Sequence, residues 1–400
     1  MKFAHLSDIH IGGWREERLK KANLEAFKKA IDVCIEKKVA FILLSGDFFD
    51  TAIPQIEMVK EATAKLKEAK DHDIDIYAIP GSHDFSPSNK TIIDVLEKTG
   101  LLENVVKFKE DNLQFTTDKT GVKITGLPGK RGGLEKYDYS NLKKSHLEEE
   151  KGFKIFMFHS LLNELKLPDL EMVEGCSIRD LPKGFDYYAG GHPHFTYSQN
   201  HEGYGLIAYP GALFPNNFKE LEKFHHGGFF ILDNSNGNLN SEFIPCKVKD
   251  VLTFFLDAEE KTVPEINSKL SEILNNRIEE KIITIRIEGT IKEGKLSDIQ
   301  LREIIQNLYE KGAYAVLKNT SKLTTKEFEE TKIEASNVEE IEEKIIQANI
   351  GKKQIPFNEI EMVHWLIANL NHEKADGERR QDFEERVVSH AIKVLKLEEV

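Results

Sequence analysis

A chain of 400 residues, 40% hydrophobic and 31% charged, has a normal soluble globular balance and is long enough for two or three domains. Its longest apolar runs are strand-sized, well short of the roughly 20 residues a membrane span needs, and the strand-like start after Met1 is expected to leave no room for a signal peptide. Lys and Arg total 55 against 68 Asp and Glu, and this net charge of −13 by itself speaks against binding a polyanion.

The acid is unevenly spread, with Lys123, Lys130, Arg131, Lys136, Lys143 and Lys144 close together, and a bound metal would add positive charge that residue counts omit. Cys34, Cys176 and Cys246 show no zinc spacing and are expected to be reduced thiols of a cytoplasmic protein.

In chain order, residues 2–7 read as a strand and 17–37 as a helix, with Leu24, Phe27, Ile31 and Ile35 at helical period. A buried strand is expected at 41–45, a helix at 56–69, a strand at 74–79 and a helix at 89–99. Strand–helix alternation with short connections argues for a layered α/β sheet. Short strands follow near 113–116, 122–125, 154–158, 206–209 and 228–232. Two packed mixed sheets with helices outside is the simplest assembly.

The texture changes after Pro245. Strands at 251–256 and 282–288 and helices near 264–275 and 297–309 suggest a small α+β domain. Beyond it, Ile360, Val363, Ile367 and Leu370 form one helical stripe and Phe383, Val387, Ala391 and Leu395 another. A helical hairpin this small buries little surface alone and needs a partner, with packing on its own chain as the alternative. The expected domains are 1–248, 249–330 and 331–400.

Five segments carry chemistry: Asp8-Ile9-His10, Gly46-Asp47, Gly81-Ser82-His83-Asp84, His159, and Gly191-His192-Pro193-His194. Each follows an expected strand, and strand ends in an open α/β sheet converge on one crevice. Glycines at 46, 81, 190 and 191 let the backbone pass close to bulky groups. Carboxylates and imidazoles without thiolates suit Mn²⁺, Fe or Zn²⁺ in mixed nitrogen and oxygen coordination. Any one segment arises by chance, and a lone histidine such as His159 is commonly a core residue. The ordered set points to a shared site holding two metals.

That order resembles the signature of calcineurin-like metallophosphoesterases over the first 250 residues or so. The strings MKFAHLSDIHIG, FILLSGDFFD, GLPGKRGG and FDYYAGGHPH are similar to the SbcD-type (meiotic-recombination-eleven) DNA repair nucleases within that superfamily. The resemblance implies a layered α-β-β-α core, a capping domain, and a C-terminal hairpin for an SbcC-type ABC ATPase. It also implies a homodimer through the helices at 56–69 and 89–101, whose apolar pattern core packing explains equally well, two Mn²⁺ ions (other divalent ions such as Mg²⁺ serving in vitro), and a cytoplasmic, nucleoid-associated enzyme. The implied activity is Mn²⁺-dependent 3′→5′ exonuclease and endonuclease cleavage at DNA double-strand ends and single strands.

By the same resemblance, Asp8, His10 and His194 hold one metal, Asp47 bridges, and His159 and His192 hold the other. His83 stands beside the scissile phosphate to protonate the leaving oxygen, with Asp84 fixing its tautomer. The family pattern GNHD becomes GSHD here. Ser82 replaces an Asn whose carbonyl would ligate, and a hydroxyl is the poorer neutral donor, so weaker binding of the second metal is expected. Two rivals follow: a DNA-end scaffold with weak catalysis, and a small-molecule phosphodiesterase with the same site chemistry. Trp14 and Arg15, just past the first motif, and Lys130 and Arg131 in a Gly-rich loop are candidate DNA contacts, with ordinary loop roles as the alternative. His5, His225 and His226 are read as structural.

Overall fold

The computed structural model describes residues 1–325 apart from 87–89 and 174, and beyond these 362–363, 383–384, 386–389 and 392. It divides into Met1–Leu323 and Thr324–Val400. In chain order the strands are β1 (Lys2–Leu6), β2 (Phe41–Ser45), β3 (Asp75–Ile79), β4 (Glu103–Asn104), β5 (Phe108–Lys109), β6 (Asn112–Leu113), β7 (Thr116–Thr117), β8 (Lys123–Leu127), β9 (Lys154–His159), β10 (Tyr187–Gly191), β11 (Tyr197–His201), β12 (Gly205–Tyr209), β13 (Gly228–Asp233), β14 (Asn240–Pro245), β15 (Val251–Asp257), β16 (Ile282–Ile291), β17 (Ala315–Asn319) and β18 (Leu323–Thr325). The α-helices are α1 (Glu17–Glu36), α2 (Ile56–Asp71), α3 (Ile92–Lys98), α4 (Glu135–Ser140), α5 (Ser145–Glu149), α6 (Phe218–Phe224), α7 (Val263–Glu272) and α8 (Leu301–Glu310).

One six-stranded sheet runs β14-β13-β1-β2-β3-β4 and a second runs β11-β12-β10-β9-β8-β7. Strand alternation sorts their side chains into layers. Ile42 and Leu44 of β2 join the cluster built with Phe27, Ile31 and Leu66 of α1 and α2. Phe41 and Leu43 point the other way, into a cluster shared with Ile155, Met157 and Tyr187 of the second sheet. Phe156 and Phe158 then face outward onto Tyr139 and Leu147 of α4 and α5. The result is α-β-β-α layering. Each fully buried side chain of this size contributes about 1.5–3 kcal/mol of transfer free energy, so the three clusters commit both sheets to their faces.

The third sheet is small: β15, β16 and β17 are parallel, and β18 pairs with β16. Helices α7 and α8 pack on it around Ile283, Ile285 and Ile287. Its other side meets the first layer, where Ile282 and Ala315 join the α1 cluster. Arg18 of α1 donates to the Ala313 and Tyr314 carbonyls, and the Tyr314 hydroxyl donates to Arg18 O.

The structure departs from periodicity in identifiable places. The strand expected at 113–116 is two pieces: Leu113 pairs with Phe108 in a hairpin, whereas Thr116 pairs with Ile124. The helix expected from 89 begins at Ile92, behind a capping box between Thr91 and Asp94; residues 87–89 lie outside the described set. Edge strands β11 and β14 have polar, half-exposed sequences that carry little alternation. Most of the expected C-terminal hairpin lies outside the described residues. No helix among those described is long and apolar enough to cross a membrane.

Candidate metal centre

Parallel strands β1, β2 and β3 end together, as do β8, β9, β10 and β12, so the loops after them open onto one cleft of about 400 Å³. Its lining includes His10, Asp47, Ser82, His83, His192 and His194. The loops turn by adopting strained backbone: Asp8, His10, Asp47 and His192 have φ of 49°, 47°, 51° and 93°. Non-glycine residues in this region cost about 1–3 kcal/mol each and persist only where surrounding contacts hold them. Those contacts are visible. Asp8 N and His10 N donate to the Gly46 and Asp47 carbonyls, and His192 N donates to the Asp8 carboxylate. Gly191 is required by proximity, since a Cβ there would lie 2.0 Å from Ser45 O and 2.8 Å from His159 Nδ1.

Ligand-type atoms converge in triplets. Asp8, His10 and His194 form one and Asp47, His159 and His192 another, each with its atoms within 4.8 Å of one another. His159 Nδ1 donates to the Ser45 carbonyl at 2.8 Å, and His194 Nδ1 donates to Glu220 Oε1 at 2.8 Å. A carbonyl or carboxylate only accepts, so both rings carry a proton on Nδ1 and turn Nε2 inward, where a cation can replace any proton held there. His159 Nε2 is buried without a hydrogen-bond partner and sits 3.2 Å from Asp47 Oδ2. His10 Nε2 faces His194 Nε2 at 3.2 Å. Inward nitrogens set against each other and against carboxylates are what a divalent cation satisfies, so these residues fit a pair of cations with mixed nitrogen and oxygen preference.

Electrostatics agree. Burial opposes a charged Asp47, yet the charges of His159, His10 and His83 outweigh it and hold the carboxyl well below the usual range. Burial likewise opposes an imidazolium at His159, but Asp47 and Asp8 push it up to about 10; Glu220 and Asp8 do the same for His194, to about 9. His192 is pushed down to about 4 by burial and by the His159 charge. The pocket demands positive charge, for which protons and metal ions compete.

One expectation needs correction. Asp84 does not touch His83: its fully buried carboxylate accepts from the Gly81, Phe48 and Phe49 amides, stapling the second and third motif loops together. The His83 tautomer is set instead by the Asp50 carbonyl, which accepts a hydrogen bond from Nδ1 at 2.7 Å. Trp14 donates its indole N–H to Pro215 O and packs on the α1 cluster, a structural contact. Lys130 is paired with Asp138 and lines a different cleft. Arg15 is exposed, and Arg131 stands at the site, donating to Ser82 O. Ser82 Oγ lies 3.4 Å from Asp47 Oδ2. His5, beneath the centre, sits 2.7 Å from the Tyr187 hydroxyl, whereas His225 is exposed at the end of α6.

Two residues escaped the sequence reading. Asp50 Oδ1 is 3.2 Å from His10 Nδ1 and 3.9 Å from His83 Nδ1, and its place three residues past Asp47 was a usable signal. Glu220, which orients His194, lies 26 residues downstream with nothing local to mark it.

Strand-end loops gathering two nitrogen–oxygen triplets beneath a half-exposed histidine define a metal-dependent phosphoesterase. A family model described as calcineurin-like phosphoesterase matches residues 1–195, just under half of the chain. Among curated proteins, the chain is similar to the DNA double-strand break repair protein Mre11 of Archaeoglobus fulgidus, 25% identical over 76% of this chain and 72% of that protein. It is also similar to the protein of the same name in Sulfolobus acidocaldarius, 28% identical over 80% and 82%. A solved dimetal phosphatase from Danio rerio is 8% identical, with a TM-score of 0.41 over 62% of this chain and 96% of that one, a likeness too slight to build on.

Proposed function

We propose that the protein is a Mn²⁺-dependent DNA nuclease, an exonuclease and endonuclease that trims double-strand ends as a homodimer together with an SbcC-like ABC ATPase. The observation that carries the chemistry is the pair of triplets with their inward Nε2 atoms. The relatives, which bear the name of a double-strand break repair protein over most of their length, support DNA as the substrate. In this reading Asp8, His10 and His194 would hold one cation and His159 and His192 the other, with Asp47 available to both and Ser82 a weak extra donor. When bound, two such cations lower the pKa of a water and polarise the phosphoryl oxygens.

The chain's own residues do the rest. His83, with 46% of its side chain exposed and Nδ1 held by the Asp50 carbonyl, presents Nε2 to the cleft mouth. There it protonates the departing 3′-oxygen. Arg131 at the rim and Lys219 and Lys223 along the cleft attract phosphate. Exposed Ile53 and Ile56, before and at the start of α2, and Val95 on α3 support a dimer face there.

The test is cleavage of labelled duplex ends with Mn²⁺ or Mg²⁺. Native protein should cut with Mn²⁺, and His83→Ala should keep metal and DNA while losing roughly 10²–10⁴-fold in turnover. Native rates in the variant would remove His83 from the mechanism. One observation favours a second reading: Leu161, Leu167, Leu170, Val173, Phe195 and Phe224 make much of the cleft wall apolar, as in a pocket for a small organic phosphodiester. Hydrolysis of bis-p-nitrophenyl phosphate with no cutting of duplex DNA, with or without the ATPase, would select it.

A further inference from the structure

Helix α6 touches both the metal centre and the small C-terminal sheet, and its two glutamates point opposite ways. We infer that α6 is the positioning element for the cation held by His194, and that Arg286 of β16 keeps it in place, so that the small sheet sets the affinity of one metal site. The inference rests on the two-cation reading above.

Glu220 serves the centre. One carboxylate oxygen accepts from His194 Nδ1 at 2.8 Å and the other accepts from Asn216 N at 2.7 Å. Two residues on, or roughly 200° around the helix, Glu222 faces the small sheet and receives the Arg286 guanidinium as a fork, with Nε at 2.9 and 3.0 Å from its two oxygens and Nη2 closing the pair. The same guanidinium lies over the Phe218 ring at 5.1 Å and reaches Glu288 through Nη1. Side chains in this pair are 15% and 18% exposed, so it is largely shielded from water.

A helix of seven residues has almost no stability of its own, because nucleation outweighs the few hydrogen bonds gained. It stays in place through its attachments: the Asn217 cap, buried Leu221, and the Arg286 fork. Removing the fork loosens the side of α6 away from the centre. The Glu220 carboxylate then samples positions in which the His194 ring is no longer held with Nε2 inward. Lys219 and Lys223, which line the cleft from the same helix, move with it.

The test is a Mn²⁺ titration of the full chain, followed by calorimetry and by electron paramagnetic resonance to resolve the two sites. Glu220→Gln should weaken one site by roughly 10–100-fold and spare the other. Arg286→Ala, at a residue that meets no ligand, should weaken the same site by roughly threefold or more, and the swap Arg286→Glu with Glu222→Arg should recover much of the loss. Native affinity at both sites in Arg286→Ala, alongside a weakened site in Glu220→Gln, overturns the link. So does an equal loss at both sites that the swap does not repair, which marks general destabilisation. If native protein binds no Mn²⁺, the two-cation reading itself fails; binding of two ions with no DNA cleavage fails the nuclease reading and leaves this link standing.

Discussion

Ser82 and His5 show what single residues outside the ligand triplets do, the first at the centre and the second for stability. The Ser82 hydroxyl lies 3.4 Å from Asp47 Oδ2, where an Asn carbonyl would reach further toward a cation. Ser82→Asn should therefore tighten the weaker Mn²⁺ site, by roughly tenfold if it acts on the scale of other contacts that support a ligand; unchanged affinity would mean the hydroxyl already serves. His5 is wholly buried, and burial pushes it down to about 3 from an ordinary 6.5. The unfolded chain takes up that proton near pH 6.5 and the folded chain only near 3, so stability falls as pH falls between them, by up to about 1.4 kcal/mol per unit. Urea unfolding at pH 7 and pH 5 should show this loss, and His5→Gln should reduce it. Of the site, the triplet residues were legible because each stands next to a strand end. Glu220 and the Ser45 carbonyl were not, because their roles exist only once distant segments meet, and Asp84 was misread because its backbone partners are equally invisible in sequence.

Strands and helices were legible where one face is buried and periodicity survives. The stripes of α1 and α2 and the apolar run of β2 fall within a residue or two of expectation. Short α4, α5 and α6 were not, since five to seven residues show too little period and are held by tertiary contacts. Strand β10 was expected only as an unbounded strand before the Gly191 segment, although Gly191 is what lets the two sheets approach there. A methyl at Gly191 would press on the Ser45 carbonyl of β2 and on the His159 ring. Gly191→Ala should therefore cost about 3 kcal/mol and weaken the His159 metal site with it. A thermal melt with and without Mn²⁺ checks both effects, and a melt like that of native protein would show that the sheets have slack there.

At the scale of the whole chain, the small sheet is tied to the core by apolar packing, by Arg18 and by Arg286, whereas Thr324–Val400 forms its own unit. The apolar stripes read from that unit are proposed to seat on the ATPase. Truncation before Pro356 should leave folding and the metal centre intact while abolishing ATPase co-purification; loss of solubility alone would show that the hairpin packs on its own chain. Everything in the functional reading depends on two cations lying between side chains from five separate loops. The most direct measurement is anomalous diffraction from a crystal soaked in Mn²⁺. The account predicts two peaks on either side of Asp47, one against Asp8, His10 and His194 and the other against His159 and His192. A single ion, or ions seated elsewhere, would contradict it.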